Sequence, residues 1–382
     1  MFRKLRPSFF SSLHLWPLRA LAVLFLLAGL AGLAQAAEKR KVIIDQDTFG
    51  PGGTNMWSVL MLLQAPDVEV LGITVSSGDG WLNEEMAHVL RMLEVAQRTE
   101  VPVYAGAVFP LLNSQARTKA WEGRNGPLVW KGAWTEVFSS GKVRADYHAD
   151  PFLVPPLVAG TPALKAQPES AISFLLRTVR QYPGEVTIWA GGALTNLALA
   201  ARQDPQFAGL AKELVFMGGS FNPISADNSF ADEYRHSPRR EFNMFWDPEA
   251  ASATLHEAWR KIIQVPVDPT TKTFFRKELF TEIGRGKAPF SSYVETYGRG
   301  FPMWDELAVA VWLDPTLVTR KQTMLVDIET GDGAAYGSTL SWPPGRGPGR
   351  GEREVEVVQD IDVARFERLT VKLLSEPKAA LR

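Results

Sequence analysis

Carboxylates and amides gather in five turns of this chain, each at the end or the start of an apolar run. Asp45-Gln46-Asp47-Thr48 closes the run that begins at Lys41, and Ser76-Ser77-Gly78-Asp79-Gly80 follows the apolar stretch 68–75. Gly191-Gly192-Ala193-Leu194-Thr195-Asn196 follows 186–190, and 214–217 leads through a polar loop to Arg240-Glu241-Phe242-Asn243. Trp304-Asp305-Glu306 opens the last long apolar helix. The chain has no Cys and only 5 His, so a carboxylate-lined site built from these turns suits a hard cation such as Ca2+ or Mg2+.

These turns meet only if the runs that carry them lie side by side. Strand-like runs alternate with helical patterns from Lys41 onward, which predicts an α/β fold. The expected architecture is a single large domain, an open, mostly parallel sheet flanked by helices, with ligands outside the carboxyl ends of the strands. The run 68–75 is almost unbroken in its apolar character, as befits a strand covered on both faces. Helices are predicted over 54–64, over 169–182 and from Asp247-Pro248-Glu249, where Asp caps and Pro takes the first helical position. Asn83 is expected to cap a helix with Met86, Val89, Leu90 and Leu93 on one face. Further strands are expected at 101–104, 214–217, 262–267 and 355–358, with a final helix near 363–374. Residues 107–168, rich in Trp, Pro and Gly, interrupt the alternation and suggest an insertion or lid over one end of the sheet.

Composition removes several classes of function. With 41 basic and 42 acidic residues, nothing draws the chain to a polyanion, and no nucleic-acid partner is expected. The absence of Cys excludes disulfide frameworks and thiolate metal sites. Arg3, Lys4, Arg6 and Arg19 precede the apolar run 21–33, and Ala34-Gln35-Ala36 supplies a small-x-small cleavage site. The expectation is a signal peptide over 1–36 and an exported domain over 37–382, periplasmic or secreted. The apolar run is shorter than the roughly 20 residues a spanning helix needs, so no membrane insertion is expected after cleavage.

In their order along the chain, these motifs resemble those of the inosine–uridine-preferring nucleoside hydrolases, over about Lys41 to Leu374. The resemblance is carried by Asp45-Gln46-Asp47, Leu71-Gly72-Ile73-Thr74-Val75, the Gly191-Gly192 turn, Met217-Gly218-Gly219, Glu241-Phe242-Asn243, Asp247-Pro248-Glu249-Ala250-Ala251 and Asp305. It implies hydrolysis of the N-glycosidic bond of a ribonucleoside or related N-riboside to ribose and free base. It also implies a Ca2+ ion that holds the attacking water and the ribose 2′ and 3′ hydroxyls. Carried over residue by residue, its ligands are Asp47, Asn55, the Gly191 carbonyl and Asp305, with Asp47 also the catalytic base. Thr54, Met217, Glu241, Asn243, Trp304 and Asp305 fall in the substrate-binding set, with Glu241 near the 5′ hydroxyl. A further sugar-binding Asn corresponds to Asn228 or to Asn222 in a lengthened loop.

The departures from the family pattern bear on activity. Two consecutive Asp residues are usual where this chain has Thr54-Asn55, so a metal-gripping carboxylate becomes an amide and a ribose-binding one a hydroxyl. Where Gly-Asn is usual, Gly78-Asp79 adds a carboxylate, which compensates if Asp79 faces the same ion and substrate. Trp304 stands where some members place His, and an indole cannot protonate a leaving group. The second reading is therefore a non-catalytic exported protein that binds a sugar or nucleoside on the same fold. Asp47 and Asp305 also suit helix caps. His88 is expected to be structural, and His148 and His236 to lie in loops. A small nucleoside is the expected partner, alongside a second copy in a homo-oligomer.

Overall fold

The computed structural model describes Met1 and residues 38–222 and 240–381. Beyond Met1, the segment 1–36 expected to be a leader lies outside the described residues, as do Asn228 and His236. Arg40–Arg382 form one compact unit. Among the described residues no helix is long and apolar enough to cross a membrane.

Among the described residues nine strands form one sheet. They are β1 (Arg40–Gln46), β2 (Val68–Val75), β3 (Val103–Ala105), β4 (Val186–Ala190), β5 (Glu213–Met217), β6 (Ile262–Val265), β7 (Val318–Ile328), β8 (Thr339–Trp342) and β9 (Arg353–Ile361). Their order is β3-β2-β1-β4-β5-β6-β9-β7-β8. Pairing is parallel from β3 through to β9, and β7 runs antiparallel to both β9 and β8. The connections reverse direction between β1 and β4, the switch point at which open α/β sheets leave a crevice for ligands. The register brings the polar turns to one level: Asp45 lies opposite Thr74 on β2 and Ala190 on β4, and Met217 lies opposite Val265.

Helices cover both faces, which explains the continuous apolar strands. The helices Thr54–Gln64, Leu82–Val95, Trp304–Leu313 and Val363–Ser375 contribute to one core, and Ala171–Gln181, Thr195–Gln203 and Pro248–Leu255 to the other. Every residue of Thr54–Gln64 is buried, so this helix has no solvent face and no amphipathic signature.

Local chemistry moves several predicted boundaries. The helix expected to take Asn83 as its cap starts earlier, at Leu82, with Trp81 in the cap position and the Leu82 N–H donated to the Ser77 hydroxyl at 2.8 Å. Asn83 instead donates to the Phe152 carbonyl. β3 begins only after Pro102 and β6 ends before Pro266, since Pro has no N–H for a ladder. The helix expected over 169–182 runs Ala171–Gln181, capped by Ser170. The segment 107–168 is largely irregular but contains a helix, Gln115–Asn125, capped by Ser114. The antiparallel pair β7–β8 is an addition to the expected fold.

Candidate active site

The floor of the site is the end of β1. Asp45 points to one side, where its carboxylate accepts from Thr74 at 2.5 Å and Asn196 at 2.8 Å. Gln46 is fully buried and works in both directions: its oxygen accepts the Asp47 N–H at 2.9 Å, and its Nε2 donates to Asp305 at 3.0 Å and to Ser58 at 3.3 Å. Asp47 accepts the Asp79 N–H at 3.1 Å on one oxygen and Asn55 Nδ2 at 3.2 Å on the other. The same Asn55 nitrogen donates to Asp79 at 2.9 Å. Asn55 and Asp79 thus meet at Asp47, and Gln46 links Asp47 to Asp305; the four come from the end of β1, the turn after β2 and the N-termini of two helices. Neither Asp47 nor Asp305 caps a helix; Gly53 and Met303 hold those positions.

Such convergence needs a backbone without side chains. A Cβ at Gly78 would lie 2.2 Å from an Asp47 carboxylate oxygen, and one at Gly191 would lie 2.2 Å from Gln46 Nε2. The Gly191 carbonyl, read from the sequence as an ion ligand, accepts Asn243 Nδ2 at 2.8 Å, and that nitrogen also reaches the Met217 carbonyl at 3.2 Å. Glu241 caps the helix Phe242–Trp246, its oxygens taking the N–H groups of Gly219 (2.9 Å), Asn243 (2.9 Å) and Met244 (3.2 Å).

Thr54 and Asn55 are placed differently from the roles the resemblance implies. The Thr54 hydroxyl donates to Glu306 and accepts the Asp305 N–H at 3.1 Å, so its proton is committed within the protein. Asn55 presents its amide nitrogen to the two carboxylates and here clamps them together. For Asn55 to offer an ion its oxygen, the amide must turn over.

The carboxylates are short of counter-charge. Burial, reinforced by Asp79 and Asp305, holds the Asp47 carboxyl well above the ordinary carboxylate range. Burial does the same to Asp305, with Asp79 and Glu241 adding to it against the Gln46 bond. Glu85 is raised by burial and then by Asp47, and Glu306 by burial and then by Asp305. Asp45 is pushed up to about 6 and Glu241 to about 7, both chiefly by burial. At Asp79 burial also dominates, opposed by the Asn55 and Trp130 bonds and by Arg144. One oxygen each of Asp45, Glu85 and Glu306 is buried without a hydrogen-bond partner. An anionic, oxygen-rich and under-neutralised donor set of this kind fits a hard divalent cation.

The segment 107–168 forms the cover. Trp130 donates its indole N–H to Asp79 at 2.5 Å, and its ring stacks on Phe138 with centroids 6.1 Å apart. The Arg144 guanidinium lies 5.0 Å from the Trp130 ring and 4.7 Å from that of Phe49, while Arg144 donates to the Gly132 carbonyl and to Asp146. Trp134 stacks on Trp246, and Trp121 packs against Phe245. His148 is tied back by contacts to Glu84 at 3.0 Å and the Asp150 carbonyl at 2.8 Å, and His88 is buried against Phe49 and Glu84. Trp304 is half-buried beside Phe301. Asn222 is held by its backbone N–H to Asp268.

Sequence reasoning missed Gln46, Glu85, Arg144 and Glu306. Gln46 and Glu306 adjoin motif residues, a signal that was present. Glu85 lies in an ordinary helical pattern and Arg144 in irregular chain, where no spacing marks them. A separate group, His256, Asp327 and Glu352, brings three ligand-type atoms within 4.8 Å of one another. Its His256–Asp327 contact of 3.2 Å is an ion pair when His256 is protonated, and none of the three bonds to the residues around Asp47.

Carboxylates gathered at the switch point of a mostly parallel sheet, with Trp130 of the covering segment bonded to Asp79, give this α/β scaffold an acidic site at the ends of its strands. The chain belongs to the inosine-uridine preferring nucleoside hydrolase family, whose model matches residues 42–368. It is 29% identical over 343 residues to uridine nucleosidase 1 of Arabidopsis thaliana, covering 85% of this chain and 89% of that one. It is 26% identical over 318 residues to the pyrimidine-specific ribonucleoside hydrolase RihB of Escherichia coli O157:H7, covering 79% and 87% respectively. The solved structure of a plant nucleoside hydrolase shares the fold with a TM-score of 0.67 at 23% identity, covering 88% of this chain and 99% of that one.

Proposed function

We propose that this chain hydrolyses the N-glycosidic bond of a small ribonucleoside, or a related N-riboside, to ribose and free base, with Ca2+ at the floor. The observation that carries the reading is the gathering of Asp79 and Asp305 about the buried Asp47 carboxylate, with Gln46 linking Asp47 to Asp305. Asp47, Asp79, Asp305 and the Gly191 carbonyl would hold the ion, joined by Asn55 once its amide turns. Bound there, a hard divalent cation supplies Lewis acidity and a fixed point for water and sugar hydroxyls.

The protein's own groups account for the rest. Asp47 takes the proton of the attacking water. Positive charge builds on the sugar as the glycosidic bond breaks, and the surrounding carboxylates stabilise it. Asn243 and Glu241, fixed by backbone groups, present a rigid edge to the sugar. Phe49, Trp130 and Arg144 keep bulk water out. Trp304 offers a planar surface for the base and no proton, so the preferred substrates carry bases that leave without strong acid assistance. We also propose export, with residues 1–36 as a cleaved leader.

The test is release of reducing sugar from a panel of purine and pyrimidine ribonucleosides, with and without a chelator. Hydrolysis lost on chelation and recovered with Ca2+ supports the reading. The binding-protein alternative draws on the Asn55 nitrogen, which occupies the space between two carboxylates. It prevails if nucleosides bind and none is cleaved in excess Ca2+.

A further inference from the structure

Glu306 is fully buried in the first turn of Trp304–Leu313, one residue beyond Asp305, and the reaction outlined above uses neither of its oxygens. One oxygen takes the Thr54 hydroxyl proton, and the Thr54 oxygen accepts the Asp305 N–H at 3.1 Å. Thr54 opens the helix that carries Asn55, and Asp305 sits at the start of another, so two consecutive bonds tie together two helix N-termini at the site. From the other side, Gln46 holds the Asp305 carboxylate at 3.0 Å. The second Glu306 oxygen is buried and without a hydrogen-bond partner. A buried carboxylate half-satisfied in this way is costly, and an apolar residue of similar size avoids the cost. What the apolar residue cannot do is hold Thr54.

We propose that Glu306 is a positioning residue for the hydrolysis: through the Thr54 hydroxyl it fixes the backbone of Asp305 against Asn55 and Asp47. The proposal rests on the site being hydrolytic and cation-binding. It assigns Thr54 to the framework of the site, with its proton unavailable to a sugar hydroxyl.

The experiment compares Thr54→Val, Glu306→Ala, Glu306→Gln and the Thr54→Val/Glu306→Ala pair. Three readouts are taken: kcat and KM on a cleaved nucleoside, Ca2+ affinity by calorimetry, and hydrogen exchange of the Asp305 amide. Thr54→Val and Glu306→Ala are each expected to lower kcat and Ca2+ affinity by about 10- to 100-fold, as loss of a group that orients a ligand does. The pair should be no worse than either alone, because both break one chain of bonds. Glu306→Gln keeps an acceptor oxygen and should recover most of the loss. Asp305 amide exchange should quicken in the first two variants and stay slow in Glu306→Gln. If Glu306→Ala does not fold, Thr54→Val, nearly isosteric, carries the same expectations. Wild-type values of kcat and affinity in Thr54→Val, additive losses in the pair, or no rescue by Gln would each overturn the proposal. A wild type that cleaves no nucleoside defeats the hydrolase reading instead, and Ca2+ affinity and Asp305 exchange then still decide the positioning role.

Discussion

Asp79→Asn tests whether the carboxylate added after β2 serves the ion. In the cation-free protein each Asp79 oxygen has one side-chain donor, Asn55 Nδ2 on one and Trp130 Nε1 on the other. An Asn there has a single acceptor oxygen, so one donor loses its partner, at about 1.5–3 kcal/mol for a bond to a charged group. Against this, Asp47 loses a like-charged neighbour that raises its proton affinity. The two effects oppose, and the cation-free melting temperature should move little. The loaded protein has no such compensation. Removing a ligand charge should weaken Ca2+ by roughly 30-fold, within the ~10–100-fold span for well-placed site groups. At a Ca2+ concentration 100 times the wild-type Kd, ligand stabilisation is about 2.7 kcal/mol. With affinity 30-fold weaker it falls to ~0.9 kcal/mol. Thermal melting with and without Ca2+, checked by calorimetry, reads the difference directly. Asn55→Asp on the Asp79→Asn background should restore part of the lost affinity, since both positions adjoin Asp47. If Asp79→Asn keeps the full Ca2+ stabilisation, or the two substitutions act additively, Asp79 does not serve the ion.

Three further outcomes are expected. Asp47→Ala should abolish both hydrolysis and Ca2+ binding, and an active or calcium-binding variant would remove Asp47 from the centre of the site. The cation-free protein should lose stability as pH rises. Asp45 and Glu241, pushed up to about 6 and about 7, keep their protons in the folded state after the unfolded chain has released them near pH ~4. Folded protein then binds more protons than unfolded, so the penalty is absent below about pH 4 and complete above about pH 7, on the order of 3 kcal/mol for each group. Urea denaturation across about pH 4 to 8 in chelator checks this, and rising stability with pH would refute it. His148→Ala should leave kcat unchanged, because contacts to Glu84 and the Asp150 carbonyl tie the ring back; a bell-shaped pH profile that loses one limb in this variant would show otherwise.

Much of the sheet was legible because its central strands are short apolar runs that end in polar turns, and Gly191-Gly192 or Asp45-Gln46-Asp47 mark those ends without ambiguity. Strand β7 was not. Its first half, Thr319 to Thr323, is polar and largely exposed, so it lacks the apolar run that signals a buried strand. In the site, residue types predicted position better than partners. That Asp47 and Asp79 follow strands, and so lie at the carboxyl ends of the sheet, follows from alternation. That Asn55 turns its nitrogen inward, or that Thr54 answers to Glu306, depends on side-chain rotamers and on a contact spanning some 250 positions, to which periodicity is blind. Arg144 illustrates the same limit, since a cation in irregular chain acquires meaning only from the rings of Phe49 and Trp130 around it.

A ligand that takes the Asp79 oxygen now bonded to the Trp130 indole N–H must displace that bond. Occupying that oxygen is therefore an exchange, in which the newcomer gains only the difference between its own bond and the one it displaces. The affinity seen from outside is the intrinsic affinity reduced by the fraction of molecules in which Trp130 has let go. A titration of wild type thus reports two equilibria multiplied together, and weak apparent binding says nothing by itself about the quality of the floor. Substituting Trp130 by Phe, which keeps a ring and deletes the competing donor, separates the two factors.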